Sequence, residues 1–162
     1  MSLENKMKIL FICTHNRCRS ILSEAITNQL AQGRIVARSA GSQPIGTVHP
    51  LSIQYLLENN FSVADLESQS WDDFSDFNPD LIITVCDKAA GEVCPVWFGQ
   101  STQVHWGLKD PSKIEGSAQD IAAGFQEAID EISLRVQALL TLDLDVFDPI
   151  SLKRAMLNLG AI

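Results

Sequence analysis

The sequence predicts an α/β fold built on a parallel β-sheet, and two observations carry this prediction. Short apolar runs alternate along the chain with longer segments whose apolar residues recur at helical spacing. Residues 9–12 and 80–86 are apolar without a period of two, which is typical of strands buried on both faces. Such strands occur in parallel sheets that carry helices on both sides and are joined by right-handed crossovers.

The elements follow in order along the chain. The expected strands cover residues 9–12, 35–40, 80–86 and 103–106. Helical periodicity begins at Arg19, and Pro50 at a first turn indicates a second helix over residues 49–59. Residues 71–77 form a short helical stretch that ends before Pro79. A long amphipathic helix is expected from about residue 117 to residue 140.

Length and composition indicate one domain over residues 1–162. The chain has 162 residues and is 46% hydrophobic, which is enough for a single core. Residues 1–6 form a polar tail. Residues 148–162 are a helical extension in which Leu152, Met156 and Leu159 share one face, and we expect this face to cover core or partner surface.

Charge and hydropathy exclude several classes of partner. The formal net charge is −8, and the chain contains neither a basic stripe nor a basic tail. We therefore expect no nucleic-acid or membrane partner. The apolar run after the polar tail is too short for a signal peptide or a membrane span, so we expect a cytoplasmic protein.

Residues 13–20, here called the cysteine loop, form the most informative segment. The loop joins the carboxyl end of the first strand to the first helix, and ligands bind at this edge of parallel sheets. Its backbone N–H groups and the helix N-terminus would converge above the sulfur of Cys13, where a tetrahedral oxyanion fits. The expected oxyanion-binding residues are Thr14, His15, Asn16, Arg17, Cys18, Arg19 and Ser20.

The residue types in this loop suit nucleophilic chemistry. A helix N-terminus and a guanidinium can lower a thiol pKa from about 8.5 to between roughly 3.5 and 7.5, so Cys13 is expected to be a thiolate. The planar guanidinium of Arg19 can bind two oxygens of a phosphate or an arsenate together. Ser20 supplies a hydroxyl, and Asn16 tolerates the left-handed backbone that would brace the loop. The alternative is a buried structural cysteine beside an ordinary polar loop.

Asp110 has two interpretations. It precedes Pro111 after the fourth strand, at the same edge as Cys13, and could protonate a leaving oxygen. Asp-Pro is also common turn chemistry.

These residues resemble a known family. The run from Cys13 to Ser20 is similar to the signature of the low-molecular-weight protein tyrosine phosphatase superfamily, which includes cysteine-dependent arsenate reductases. The resemblance continues at residues 39–41, 49–50, 85–87, 91–97 and 105–111. The later set is similar to the arsenate reductase branch. The resemblance implies a three-layer, phosphatase I-like sandwich with strand order 2-1-3-4, and it favours the acid role for Asp110.

The same resemblance implies roles for two more cysteines. Reduction of arsenate needs two electrons, which a thiol pair provides by forming a disulfide. Cys13 would attack arsenate, Cys86 would attack Cys13 and release arsenite, and Cys94 would resolve the disulfide. Thioredoxin, glutaredoxin with glutathione, or another small thiol would then reduce the Cys86–Cys94 pair. No bound cofactor or metal is expected, since no cysteine pair or histidine cluster has zinc-ligand spacing.

Several alternatives stay open at this point. Cys86 could be a buried hydrophobe at a strand end, and the order in which Cys86 and Cys94 attack is undetermined. Cys18 could instead form a protective disulfide with Cys13. The rival functions are a tyrosine phosphatase with a phosphocysteine intermediate and a non-catalytic oxyanion-binding or redox-sensing domain.

Overall fold

The computed structural model describes residues 6–86, 102–142 and 149–159. Its centre is a four-stranded sheet formed by β1 (Met7–Ile12), β2 (Ile35–Ala40), β3 (Leu81–Thr84) and β4 (Thr102–His105). The strand order is β2-β1-β3-β4, and each neighbouring pair is parallel. Helices lie on both sides of the sheet. The predicted α/β class and strand order are confirmed.

The central strand β1 has the apolar sequence that its position demands. Ile9, Leu10, Phe11 and Ile12 are at most 1% exposed, since strands pair with β1 on both edges and side chains cover both faces. Burial of a side chain of this size contributes about 1.5–3 kcal/mol. The strand therefore fixes the position of its last residue and of the loop that follows.

Four α-helices surround the sheet, and two short 3₁₀ helices complete the described elements. Two of the α-helices begin at clear side-chain caps. The α-helices are α1 (Arg19–Ala31), α2 (Pro50–Glu58), α3 (Ala118–Leu140) and α4 (Pro149–Leu159). Ser117 caps α3 through a capping box with Asp120, and the ring of His49 accepts a hydrogen bond from the backbone of Leu51 at the start of α2. Helices α1 and α3 pack on one another, and α4 packs against β4.

The structure shortens some of the expected elements. The helical stretch expected over residues 71–77 is a 3₁₀ helix over Trp71–Phe74, because Asn78 adopts a left-handed backbone (φ 52°) before Pro79. The third strand covers Leu81–Thr84 rather than residues 80–86, although Asp80 N–H and Val85 N–H still donate to the carbonyls of Lys8 and Ile12 in β1. The fourth strand is shifted by one residue to Thr102–His105.

The C-terminal extension is helical over Pro149–Leu159, and Met156 is fully buried. None of the helices in the described ranges is both long and apolar enough to cross a membrane.

Candidate active site

The cysteine loop curves around a pocket at the carboxyl end of β1. Cys13 is 7% exposed, and its N–H donates to the carbonyl of Ala40 in β2, so the sheet fixes the start of the loop. Helix α1 begins at Arg19, as predicted. The pocket has a volume of about 120 Å³. It is lined by Cys13, Thr14, His15, Arg17, Cys18, Arg19, Cys86, Asp110 and Lys113.

The connection between β2 and α2 (residues 41–49) holds the outer side of this loop. The carbonyl of Thr14 accepts from Gln43 N–H at 2.9 Å, and that of Arg17 accepts from His49 N–H at 2.9 Å. The carbonyl of His15 accepts from Ile45 N–H at 3.1 Å. In a trans peptide the C=O and the next N–H point in opposite directions. The N–H groups that follow these three carbonyls therefore point to the inside of the loop, as anion binding requires.

Gly41 lies directly beneath the start of the loop. A Cβ atom at this position would lie 2.5 Å from the carbonyl oxygen of Thr14 and 2.8 Å from that of Cys13. Any larger residue would therefore displace the loop backbone.

Asn16 and Ser20 support the loop from below and are not among the residues that line the pocket. Asn16 is fully buried with a left-handed backbone (φ 48°), as its residue type suggested. Its amide donates to Ser20 Oγ at 2.8 Å and to Ser39 Oγ at 3.0 Å, and its Oδ1 accepts from Gln69 N–H at 2.7 Å. Both residues thus shape the loop from behind.

Sequence reasoning missed the buried carboxylate at the end of this network. Ser39 Oγ donates to Glu24 Oε1 at 2.6 Å, and Glu24 is 4% exposed. Burial raises the pKa of Glu24 to about 7, although Ser39 and the charge of Arg38 act in the opposite direction. The signal was a glutamate on the face of α1 that faces the sheet, where a charged residue needs a partner.

Arg19 and Asp110 come together at the mouth of the pocket. Their closest charged atoms, Nη2 and Oδ2, are 3.5 Å apart, and each side chain is 17% exposed. Arg19 also donates from Nη1 to the carbonyl of Leu108 at 3.1 Å. The guanidinium is thereby held beside the opening.

The two carboxylate oxygens of Asp110 make contacts that bear on both interpretations of this residue. Its Oδ1 accepts from the N–H and the hydroxyl of Ser112, which caps the 3₁₀ helix Pro111–Lys113, and Oδ2 faces Arg19. Asp110 is therefore a turn residue that also lines the pocket.

The third strand brings Cys86 to the same place. The N–H of Val85 donates to the carbonyl of Ile12, so Cys86 follows β3 next to Cys13. The Cys13 and Cys86 side chains are in near contact, and Cys86 Sγ lies 3.7 Å from Thr14 Oγ1. The three cysteines of the described ranges, Cys13, Cys18 and Cys86, are present as thiols. Cys94 lies outside the described residues.

The structure corrects the expectation for the ionisation of Cys13. The hydrogen bond with Cys86 and burial raise the pKa of the Cys13 thiol, whereas the charge of Arg19 and the amide of Thr14 lower it. Sequence reasoning counted only the loop and the arginine, because it could not place Cys86. Cys18 is 3% exposed, and burial raises its pKa to about 11.

Each of the three histidines contacts a different group. His15 is exposed, and its Nδ1 lies 3.2 Å from the carbonyl of Gln43. His49 caps α2, and burial lowers its pKa with help from the charge of Arg17. His105 Nδ1 lies 2.8 Å from Thr84 Oγ1 at the end of the sheet. Within the described ranges, no cluster of three histidine, cysteine or acidic side chains could hold a metal ion.

Comparison with known proteins agrees with this geometry. The chain is 33% identical over 133 residues to an arsenate reductase of Halalkalibacterium halodurans, which covers 82% of this chain and 94% of that protein. Among solved structures, a thioredoxin-dependent arsenate reductase of Corynebacterium glutamicum is 28% identical, with a TM-score of 0.66 over 86% of this chain. This chain spans 63% of the length of that protein. An arsenate reductase of Archaeoglobus fulgidus is 26% identical, with a TM-score of 0.67, and covers 83% of this chain and 99% of its own.

The family model that matches the chain is that of the low molecular weight phosphotyrosine protein phosphatases, over residues 8–154. Since the match includes the cysteine loop, nearly the whole sheet and about half of α4, the chain belongs to the low molecular weight phosphotyrosine protein phosphatase family.

Proposed function

We propose that this chain is an arsenate reductase that uses a cysteine relay. The observation that supports this function best is the near contact of Cys13 and Cys86 inside the pocket that also contains Arg19. A phosphatase needs one thiol, whereas a two-electron reduction needs a second thiol within reach of the first. The identity to curated arsenate reductases supports the same substrate.

In the first step the sulfur of Cys13 attacks the arsenic of arsenate. An S–As bond forms, an As–O bond breaks, and the oxygen leaves as water with a proton from Asp110. Arg19 and the inward N–H groups of the cysteine loop stabilise the negative oxygens. Arg19 and the Thr14 amide also favour the thiolate form of Cys13, since both act to lower its pKa.

In the second step the thiolate of Cys86 attacks the sulfur of Cys13. An S–S bond forms, the S–As bond breaks, and its electron pair remains on arsenic, which leaves as arsenite. Cys94 then attacks Cys86, which frees Cys13 and yields a Cys86–Cys94 disulfide. An external thiol reductant restores both thiols, and the similarity to a thioredoxin-dependent enzyme favours thioredoxin.

Arsenate-dependent oxidation of NADPH in the presence of thioredoxin and thioredoxin reductase tests this proposal. A parallel assay with glutaredoxin and glutathione identifies the donor. Cys86→Ser should abolish turnover. Cys94→Ser should stop after one turnover with a Cys13–Cys86 disulfide that peptide mapping detects only when arsenate was added. Full arsenate turnover by Cys86→Ser would refute the relay.

The second candidate is phosphotyrosine phosphatase activity, which the family membership and the shared first step favour. Against it, Asp110 is followed by Ser112 and Lys113 rather than by aromatic residues that would hold a phenyl ring. Release of phosphate from an aryl phosphate separates the two. Efficient aryl phosphate hydrolysis without arsenate reduction would select the phosphatase.

A further inference from the structure

Arg135 is a buried cation that the steps above do not use. It lies on α3 and is 4% exposed. Its Nη2 donates to Glu131 Oε1 at 2.8 Å, and its Nη1 donates to the carbonyl of Gly107 at 3.4 Å. The guanidinium also lies over the ring of Trp106, with 5.8 Å between its carbon and the ring centroid.

Such a group is costly to keep for stability alone. Removing a guanidinium from water carries a large desolvation penalty, and apolar replacements of buried ion pairs are often neutral or stabilising. An arginine can, however, bind a carbonyl and a carboxylate and stack on an indole at the same time, which lysine and apolar residues cannot do. The segment that Arg135 contacts therefore indicates its role.

That segment, residues 106–110, leads from β4 to Asp110. Its backbone is tied to the third strand, because Trp106 N–H donates to Thr84 and Leu108 N–H donates to Val85. Its carbonyls are bound by two arginines from different helices. Arg135 of α3 binds Gly107, and Arg19 of α1 binds the next carbonyl, that of Leu108.

Trp106 connects the same segment to the C-terminal helix. Its ring is 2% exposed and lies 6.5 Å from the ring of Phe11 in β1, centroid to centroid. Its Nε1–H donates to the carbonyl of Met156 in α4 at 3.3 Å. The ring on which Arg135 stacks is thus fixed by the sheet and by α4. This ring holds the guanidinium in place, and the guanidinium in turn holds the carbonyl of Gly107.

We propose that Arg135 is a positioning residue, which holds residues 106–110 so that Asp110 faces the pocket beside Arg19. This inference rests on the proposed function, because it assigns Arg135 to the protonation step of that reaction. Arg135 is not among the residues that line the pocket. In this proposal its effect on the protonation step passes through Asp110.

A double-mutant cycle tests this dependence. The variants are Arg135→Met, Asp110→Asn and their combination, and the measured quantity is kcat/KM for arsenate at saturating thioredoxin. Arg135→Met should lower kcat/KM about tenfold in the wild-type background, mainly through kcat, which corresponds to about 1.4 kcal/mol. In the Asp110→Asn background the same substitution should change it less than twofold.

Arg34→Met is the matched control. Arg34 is an exposed arginine that also donates to two backbone carbonyls, those of Leu140 and Leu142. Its loss should lower thermal stability and leave kcat/KM unchanged. If Arg135→Met does not fold, Arg135→Lys, which keeps the charge without the planar fork, replaces it in the same cycle.

Two outcomes would overturn the inference. Equal losses in both backgrounds would mean that Arg135 acts independently of Asp110. A lower melting temperature with unchanged kcat/KM would mean that Arg135 only stabilises the fold. Failure of the proposed function is distinguishable, because the wild-type chain would then not reduce arsenate at all.

Discussion

The two walls of the pocket differ in the charged contacts that hold them. The cysteine loop is held by uncharged hydrogen bonds of 2.7–3.2 Å from the backbone and from Asn16. The wall that carries Asp110 also has uncharged backbone bonds, those of Trp106 and Leu108, and in addition two arginines contact it from its two flanks at 3.1–3.5 Å. Uncharged bonds fix the curvature of an anion cradle without competing for the anion. Charged contacts place the carboxylate, but they are longer. Two of the three also depend on the same guanidinium, that of Arg19.

The largest expected effect concerns the Asp110 wall. Asp110→Asn removes the proton donor and should lower the arsenate turnover by roughly 10²–10⁴-fold, since general acid catalysis contributes about that much. Turnover with the thioredoxin system, compared with that of the wild type, measures it. A variant with a wild-type rate would show that Asp110 serves only as the cap of Pro111–Lys113.

The second prediction concerns the buried carboxylate beneath the cysteine loop. Because the pKa of Glu24 is about 7 in the folded chain against an ordinary value of 4.5, the fold favours its protonated form. That stabilisation is fully present below pH 4.5 and is lost as the pH rises through 7, with a total on the order of 3 kcal/mol. The free energy of unfolding should therefore fall over this range in the wild type.

Urea denaturation at pH 5, 6, 7 and 8 measures this dependence in the wild type and in Glu24→Gln. The difference in the free energy of unfolding between the wild type and Glu24→Gln should shrink or reverse as the pH rises. The exposed Glu127→Gln on α3 is the matched control and should follow the wild type at every pH. Parallel curves for the wild type and Glu24→Gln would contradict the assignment.

The third prediction tests the close packing under the loop. Gly41→Ala places a methyl group against the carbonyls of Thr14 and Cys13 and should cost about 1–3 kcal/mol of stability. It should also weaken binding of inorganic phosphate about tenfold, as measured by calorimetry, since the loop must shift. Gly33→Ala is the matched control: it strains a residue at φ 89° with no neighbour within 4 Å and should leave phosphate binding unchanged. Equal phosphate affinities for wild type and Gly41→Ala would argue against a rigid cradle.

The smallest effect concerns the nucleophile itself. Cys86→Ala removes the main cause that raises the pKa of Cys13, so Cys13 should react with iodoacetamide several-fold faster at pH 7. Mass spectrometry of the Cys13 peptide across pH gives the midpoint. Cys86→Ser keeps a hydrogen-bonding group and should shift the midpoint less than Cys86→Ala. An unchanged Cys13 profile in Cys86→Ala would show that burial alone sets this pKa.

Much of the site was predictable because its chemistry is local. The apolar run of β1, Cys13 at its end and Arg19 at the start of α1 are adjacent in the chain, so strand and helix geometry alone bring them together. Asp110 was placed at the same edge as Cys13 by the rule that the carboxyl ends of parallel strands meet, whereas only the family resemblance brought in Cys86. Sequence reasoning missed the structural roles of Arg135, Glu24 and the connection between β2 and α2 (residues 41–49). These roles come from contacts between segments that are distant in the sequence.

The sequence by itself determined the parallel α/β class, the cysteine loop and its arginine, because periodicity and spacing along the chain encode them. Tertiary structure alone decided that Cys86 raises the pKa of Cys13, that Glu24 is buried beneath Asn16 and Ser39, and that Arg135 binds Gly107. The physical reason is that pKa values and buried polar contacts depend on which groups meet in space and on how much water is excluded. The pattern of residues along the sequence predicts strands and helices, but it does not show which groups meet in space or how much water is excluded around them.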